Sequence, residues 1–130
     1  MRLHAVPVAL LVSVALTIAM RHGASAESQP VPAESRQANP FEGDGSRIEP
    51  GRSLFNQYCF HCHAPNAQTP ERVRDVRRLK LRYGSRMTEV FYQAVTEGRP
   101  SKGMPAWKGT LPDETLWTIY SFIQSVQKEP

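Results

Sequence analysis

Cys59-Phe60-His61-Cys62-His63 is the stretch on which the reading of this chain turns. In Cys-x-x-Cys-His, two thiols add across the vinyl groups of a haem and the two-residue gap spans the separation of those vinyls. The adjacent histidine then swings under the ring to bind iron. Cys59 and Cys62 are therefore candidate covalent attachment points and His63 a candidate axial ligand. Two other readings compete. A redox dithiol belongs at a strand-to-helix turn of a βαβ fold, whereas this motif follows a helical pattern in a chain with no evident strand pattern. Zinc would need Cys59, Cys62, His61 and His63 to close one tetrahedron from five adjacent residues.

Upstream, Arg2 precedes a 16-residue apolar run from Ala5 to Met20, and Ala24-Ser25-Ala26 presents small residues at a cleavage site before Glu27. Residues 1–26 are read as a signal peptide, so the working chain starts at Glu27 outside the cytoplasm, in the periplasm. An uncleaved anchor is the alternative, though a membrane span needs about 20 apolar residues. Residues 27–47 hold Pro30, Pro32, Pro40, Gly43 and Gly45 with few large apolar residues, which predicts a flexible Pro-rich tail. That leaves residues 48–130 to fold. About 80 residues is near the size where apolar burial alone is marginal, so a staple is expected, and with the two cysteines only three apart a cofactor is a better one than a disulfide.

Loss of Arg2 and Arg21 leaves 14 basic against 12 acidic residues, which makes nucleic acid a poor partner. The charge is unevenly placed. Residues 71–86 carry Arg72, Arg74, Arg77, Arg78, Lys80, Arg82 and Arg86 against Glu71 and Asp75. Such a run is either a solvated face, with one member reaching a haem propionate, or a docking surface for an acidic partner.

Helical signals begin at Pro50 and run through Leu54, Phe55 and Tyr58 into the cysteine motif. The segment from Arg72 to Tyr83 mixes helical and strand-like spacing and is left unassigned. Ser85 is placed to cap a helix carrying Val90, Phe91, Ala94 and Val95, which Gly98 and Pro100 stop. Thr110 or Asp113 is placed to cap the last helix, whose stripe is Leu116, Ile119, Tyr120, Ile123 and Val126. Trp107, Trp117 and Tyr120 beside that stripe read as core packing rather than electron conduits.

With His4 and His22 in the signal and His61 tied inside the motif, the sixth iron ligand is a methionine or an open site. Met87 stands at a helix start, where an apolar residue belongs to the core. Met104 sits in Lys102-Gly103-Met104-Pro105, with glycine permitting close approach and proline fixing the exit, and is the candidate.

Through Gly51 and Phe55, Cys59 to His63, Gly103-Met104-Pro105 and the closing helix from Leu116-Trp117 to Phe122-Ile123, residues 48–127 resemble the small monohaem cytochromes c of class I. The resemblance implies an all-α fold wrapped around one covalent haem c. The first and last helices should cross near Gly51, and one haem edge should lie near solvent. It implies an electron carrier, not an enzyme. Mitochondrial-type relatives hold the haem histidine through the carbonyl of a downstream proline, and Pro65 and Pro70 are the candidates here. Asp75 to Gly84, Glu89-Val90-Phe91-Tyr92 and Gly98-Arg99-Pro100 further resemble the cytochrome cL-like group, which takes electrons from quinoprotein (PQQ-dependent) alcohol dehydrogenases. A terminal cytochrome or oxidase would accept them. A monomer is expected, meeting membranes only through partners. The alternative is a haem sensor or peroxidase-like protein with an open iron, and Met104 discriminates between the two.

Overall fold

The computed structural model describes residues 37–129. The expected signal peptide and residues 27–36 of the expected tail lie outside the described residues. Among the described residues the chain is all-α, five helices joined by 3-10 turns, with isolated β-bridges but no strand.

Helix α1 (Ile48–Tyr58) carries Ile48, Gly51, Phe55 and Tyr58 at three- and four-residue steps, so one stripe turns inward. It packs against α5 (Asp113–Ser125) at Gly51. A Cβ at Gly51 would press into the Thr118 carbonyl oxygen and lie 3.0 Å from Cβ of Phe122, so only glycine lets the two backbones come this close. The Phe55 ring, almost wholly buried, meets that of Phe122 at 5.4 Å. The expected crossing is observed.

Every residue of α5 from 116 to 123 is buried, because the helix has neighbours on more than one side. Two of its buried hydroxyls donate within the helix: Thr118 to the Glu114 carbonyl at 2.8 Å and Ser121 to that of Trp117 at 3.2 Å. Helix α4 (Met87–Glu97) stacks Phe91 on Tyr120 at 4.5 Å and Tyr92 on Trp117 at 4.7 Å. Trp117 and Tyr120 thus belong to the core. Gly98 ends α4 at φ +73°, with space for a Cβ closed by the backbone of Ala106 at 2.6 Å.

Several local expectations need correction. Ser85 lies in a 3-10 turn (Gly84–Arg86) and caps nothing; Arg86 occupies the N-cap of α4 without a side-chain bond. The N-cap of α5 is Pro112, and Asp113 instead accepts the Tyr92 hydroxyl at 3.1 Å. The unassigned stretch is helical: a 3-10 turn (Val76–Arg78) runs into α3 (Leu79–Tyr83), with Leu79 buried and Leu81 outside. Residues 39–47 are not a free tail. Asn39 is buried against α5, its amide donating to Gln124 Oε1 at 2.8 Å and Ser121 Oγ at 3.2 Å. The Arg47 guanidinium lies 3.9 Å from the Phe41 ring centroid and pairs with Glu114 at 3.0 Å.

Candidate functional site

The cysteine motif follows α1 without a break in hydrogen bonding. Cys59 N–H donates to the Phe55 carbonyl at 2.8 Å, and the one-turn helix α2 (Phe60–His63) closes with His63 N–H donating to the Cys59 carbonyl at 3.1 Å. One turn therefore separates Cys59 from His63. The chain then takes an unusual path, with Ala64, Asn66 and Ala67 all at positive φ between 55° and 61°. Such residues cost about 1–3 kcal/mol each unless their surroundings hold them. Here Asn56 on α1 does so: its Nδ2 donates to Asn66 Oδ1 at 2.9 Å and its Oδ1 accepts from Asn66 N–H at 2.8 Å.

His63 Nδ1 lies 2.7 Å from the carbonyl oxygen of Arg74. A carbonyl only accepts, so Nδ1 carries the hydrogen and Nε2 keeps its lone pair free for a metal. Neither Pro65 nor Pro70 supplies this carbonyl. The residues between them are occupied by the positive-φ turn, and the chain reaches the imidazole only at Arg74.

Cys59, Cys62, His63 and Met104 line a single cleft. Its walls are apolar, from Phe55, Leu79, Val90, Phe91 and Ile119 among others, and its open mouth included it holds about 1350 Å³ free of protein atoms. Met87 is outside it, in the core. Met104 is presented by a pinned loop: Arg99 N–H donates to the Met104 carbonyl at 2.8 Å, Met104 N–H to the Arg99 carbonyl at 3.2 Å, and Trp107 N–H to the Val95 carbonyl at 2.7 Å. Gly103, at φ +75°, makes the reversal. Trp107 is half-buried on the cleft wall, its ring 6.0 Å from Tyr58. The exposed His61 ring lies 4.0 Å from that of Phe60, tilted against it.

Burial, with Cys62 beside it, pushes the Cys59 thiol up to about 12. A reactive dithiol needs the opposite shift, since the thiolate is its nucleophile. The Cys59 thiol is thus shifted away from the state that a redox dithiol uses.

The rim is cationic. Arg74, Arg82, Arg99 and Lys102 all border the cleft. Of these, Arg74 pairs with Glu71 at 3.1 Å, while Arg82, Arg99 and Lys102 have no acidic partner among the described residues.

Residues 46–123 match the family model described as cytochrome c oxidase, cbb3-type, subunit III. The chain belongs to the cytochrome c family. This cytochrome is also 30% identical over 105 residues to cytochrome c550 of Pseudomonas aeruginosa, an alignment covering 75% of the chain and 71% of that protein. No solved structure matches it. Membership brings one covalently bound haem c, the small all-α class I fold and an electron-carrier role. The cleft fits such a group: a paired thiol set on one edge, a histidine with its free nitrogen fixed, a methionine on a second loop, and apolar walls between them. Among the described residues no helix is long and apolar enough to cross a membrane.

Sequence reasoning singles out four residues, Cys59, Cys62, His63 and Met104, that all line the one cleft. It did not find the Arg74 carbonyl, because a backbone acceptor has no residue-type signature, nor the reciprocal Asn56–Asn66 pair, whose only trace is two asparagines ten residues apart.

Proposed function

We propose that this cytochrome is a periplasmic carrier that takes single electrons from a quinoprotein alcohol dehydrogenase and passes them to a terminal cytochrome or oxidase. Cys59 and Cys62 would hold the haem covalently, and His63 and Met104 would bind its iron. When bound, the haem supplies a ferric–ferrous couple. The observation that carries the reading is the convergence of two thiols, an oriented histidine and a methionine on one apolar cleft.

The chain's own groups tune that couple in opposite directions. The Nδ1–H bond to Arg74 raises the basicity of Nε2 and favours the ferric state, while a neutral thioether and apolar walls favour the ferrous. Because both candidate ligands sit on hydrogen-bonded backbone, little motion accompanies a change of charge, as a carrier requires.

The choice of donor rests on the resemblance of residues 75–100 to the cytochrome cL-like group, and on charge. Of the cations in residues 71–86, four are paired: Arg74 with Glu71, Arg77 with Asp75, Lys80 with Glu129 and Arg86 with Glu89. The steering charge therefore comes from Arg72, Arg78 and Arg82, joined at the cleft mouth by Arg99 and Lys102. Val73, 83% exposed between two arginines at that mouth, supplies an apolar contact for a docked partner. For the acceptor, support comes from the description of the matched family as an oxidase subunit.

Stopped-flow reduction by an alcohol-reduced quinoprotein dehydrogenase from the same source tests the proposal. The second-order rate should fall with salt as the Debye length shrinks from about 30 Å at 0.01 M to about 8 Å at physiological strength. Arg72→Glu with Lys102→Glu should lower it by about tenfold at low salt, within the range steering spans, and leave the visible spectrum alone. A rate indifferent to both would remove the dehydrogenase as donor. A ferrous wild type that binds carbon monoxide rapidly would favour the open-iron sensor instead.

A further inference from the structure

Asp75 is 3% exposed in a run of arginines, and its carboxylate is saturated. Oδ1 accepts from Arg77 N–H at 3.1 Å and Arg77 Nε at 2.8 Å; Oδ2 accepts from Arg77 Nη2 and from Lys128 Nζ, each at 3.1 Å. Its carbonyl accepts from Arg82 Nη2 at 2.8 Å, and the same guanidinium also donates to the Arg72 carbonyl. The end of the chain straps this segment down. Lys128 N–H donates to the Arg77 carbonyl at 2.7 Å, and the Gln127 side chain bonds Val76 O and Lys80 N–H at 2.9 Å each.

The peptide plane between Arg74 and Asp75 holds both the carbonyl that accepts from His63 Nδ1 and the nitrogen of Asp75. Fixing Asp75 on one side and Arg72 on the other fixes where that carbonyl points. Buried ion pairs roughly break even against apolar side chains in stability, so a saturated buried carboxylate at this position is better explained by orientation than by energy. We propose that Asp75, clamped by Arg77 and Lys128, is the positioning residue for His63, acting through the Arg74 carbonyl. The proposal rests on the reading of His63 as an iron ligand.

The test compares wild-type holoprotein with Asp75→Asn and Lys128→Met, reading the reduction potential and, by NMR, the exchange of the His63 Nδ1 proton with solvent. Loosening the carbonyl weakens the bond that makes Nε2 basic, so both variants should raise the potential and speed that exchange by about tenfold. Simple charge effects predict otherwise: removing the anion would raise the potential, but removing the cation would lower it. Opposite signs, or variants that melt earlier with potential and exchange unmoved, would overturn the proposal. Lys128 is partly exposed, so Lys128→Met keeps the test available if Asp75→Asn folds poorly. A wild type whose NMR spectrum lacks an iron-bound His63 would instead overturn the ligand assignment, which separates the two failures.

Discussion

Replacing Gly51 by alanine tests the helix crossing on which the fold depends. Alanine is the better helix former by about 1 kcal/mol, so by propensity alone the change should stabilise α1. The packing says the reverse. The new methyl would enter the space of the Thr118 carbonyl oxygen and sit 3.0 Å from Cβ of Phe122 and 3.1 Å from the Thr118 carbonyl carbon. The nearest of these is a backbone oxygen and the next a Cβ fixed to its backbone, on a helix whose residues 116–123 are all buried, so no side-chain rotation relieves the contact and α1 must move away. Overpacking costs typically 1–3 kcal/mol and more where backbone must shift. Taking about 3–4 kcal/mol for the clash and returning about 1 for propensity leaves a net loss of about 2–3 kcal/mol. For a domain of this size that is a fall in Tm of roughly 10–20 °C, measurable by circular dichroism on the haem-loaded protein. Gly45→Ala is the control, since a Cβ there meets nothing within 4 Å, and it should change Tm by little. A Gly51→Ala protein as stable as wild type would refute the close crossing.

Cys59→Ala with Cys62→Ala should give little folded protein, because the cleft loses its filling and net stability is only about 5–15 kcal/mol; cooperative melting of that haem-free variant by circular dichroism would contradict this. Met87→Ala, at a position 7% exposed and outside the cleft, should cost about 2–5 kcal/mol in denaturant melts while leaving the visible spectrum unchanged. At Asp75 burial pushes the carboxyl up, but the bonds from Arg77 and Lys128 outweigh it and hold the group below its ordinary value. Its contribution to stability is therefore complete above the unfolded value of about 3.9 and lost as pH falls through the lower folded value. Tm measured against pH should drop more steeply below pH 4 in wild type than in Asp75→Asn.

What could be read in the sequence was whatever spacing alone enforces. Cys59 to His63 declares its chemistry because the spacing of its two cysteines and histidine is set by the macrocycle, and Leu116 to Ile123 declares a helix because its apolar residues recur at three and four. Gly98 announces a stop for the same local reason. Caps were less legible. Ser85 and Asp113 are good capping residues, yet a 3-10 turn and a bond to Tyr92 claimed their positions. The seating of residues 39–47 was hidden because Asn39 finds its partners 82 and 85 residues away, and a lone asparagine among prolines carries no periodicity. By sequence Asp75 is one acid diluting a basic run; its burial makes it the centre of the run's hydrogen bonding.

The visible spectrum of the purified protein in both oxidation states, taken beside that of Met104→Ala, tests the ligand pair most directly. Wild type should show covalent low-spin haem in both states and a methionine-to-iron band in the ferric form, and its ferrous form should bind carbon monoxide poorly. Met104→Ala should lose the band, become at least partly high-spin and take up carbon monoxide. A wild type that is already high-spin, or a variant whose spectrum is indistinguishable from it, would contradict the assignment of His63 and Met104 as the axial pair.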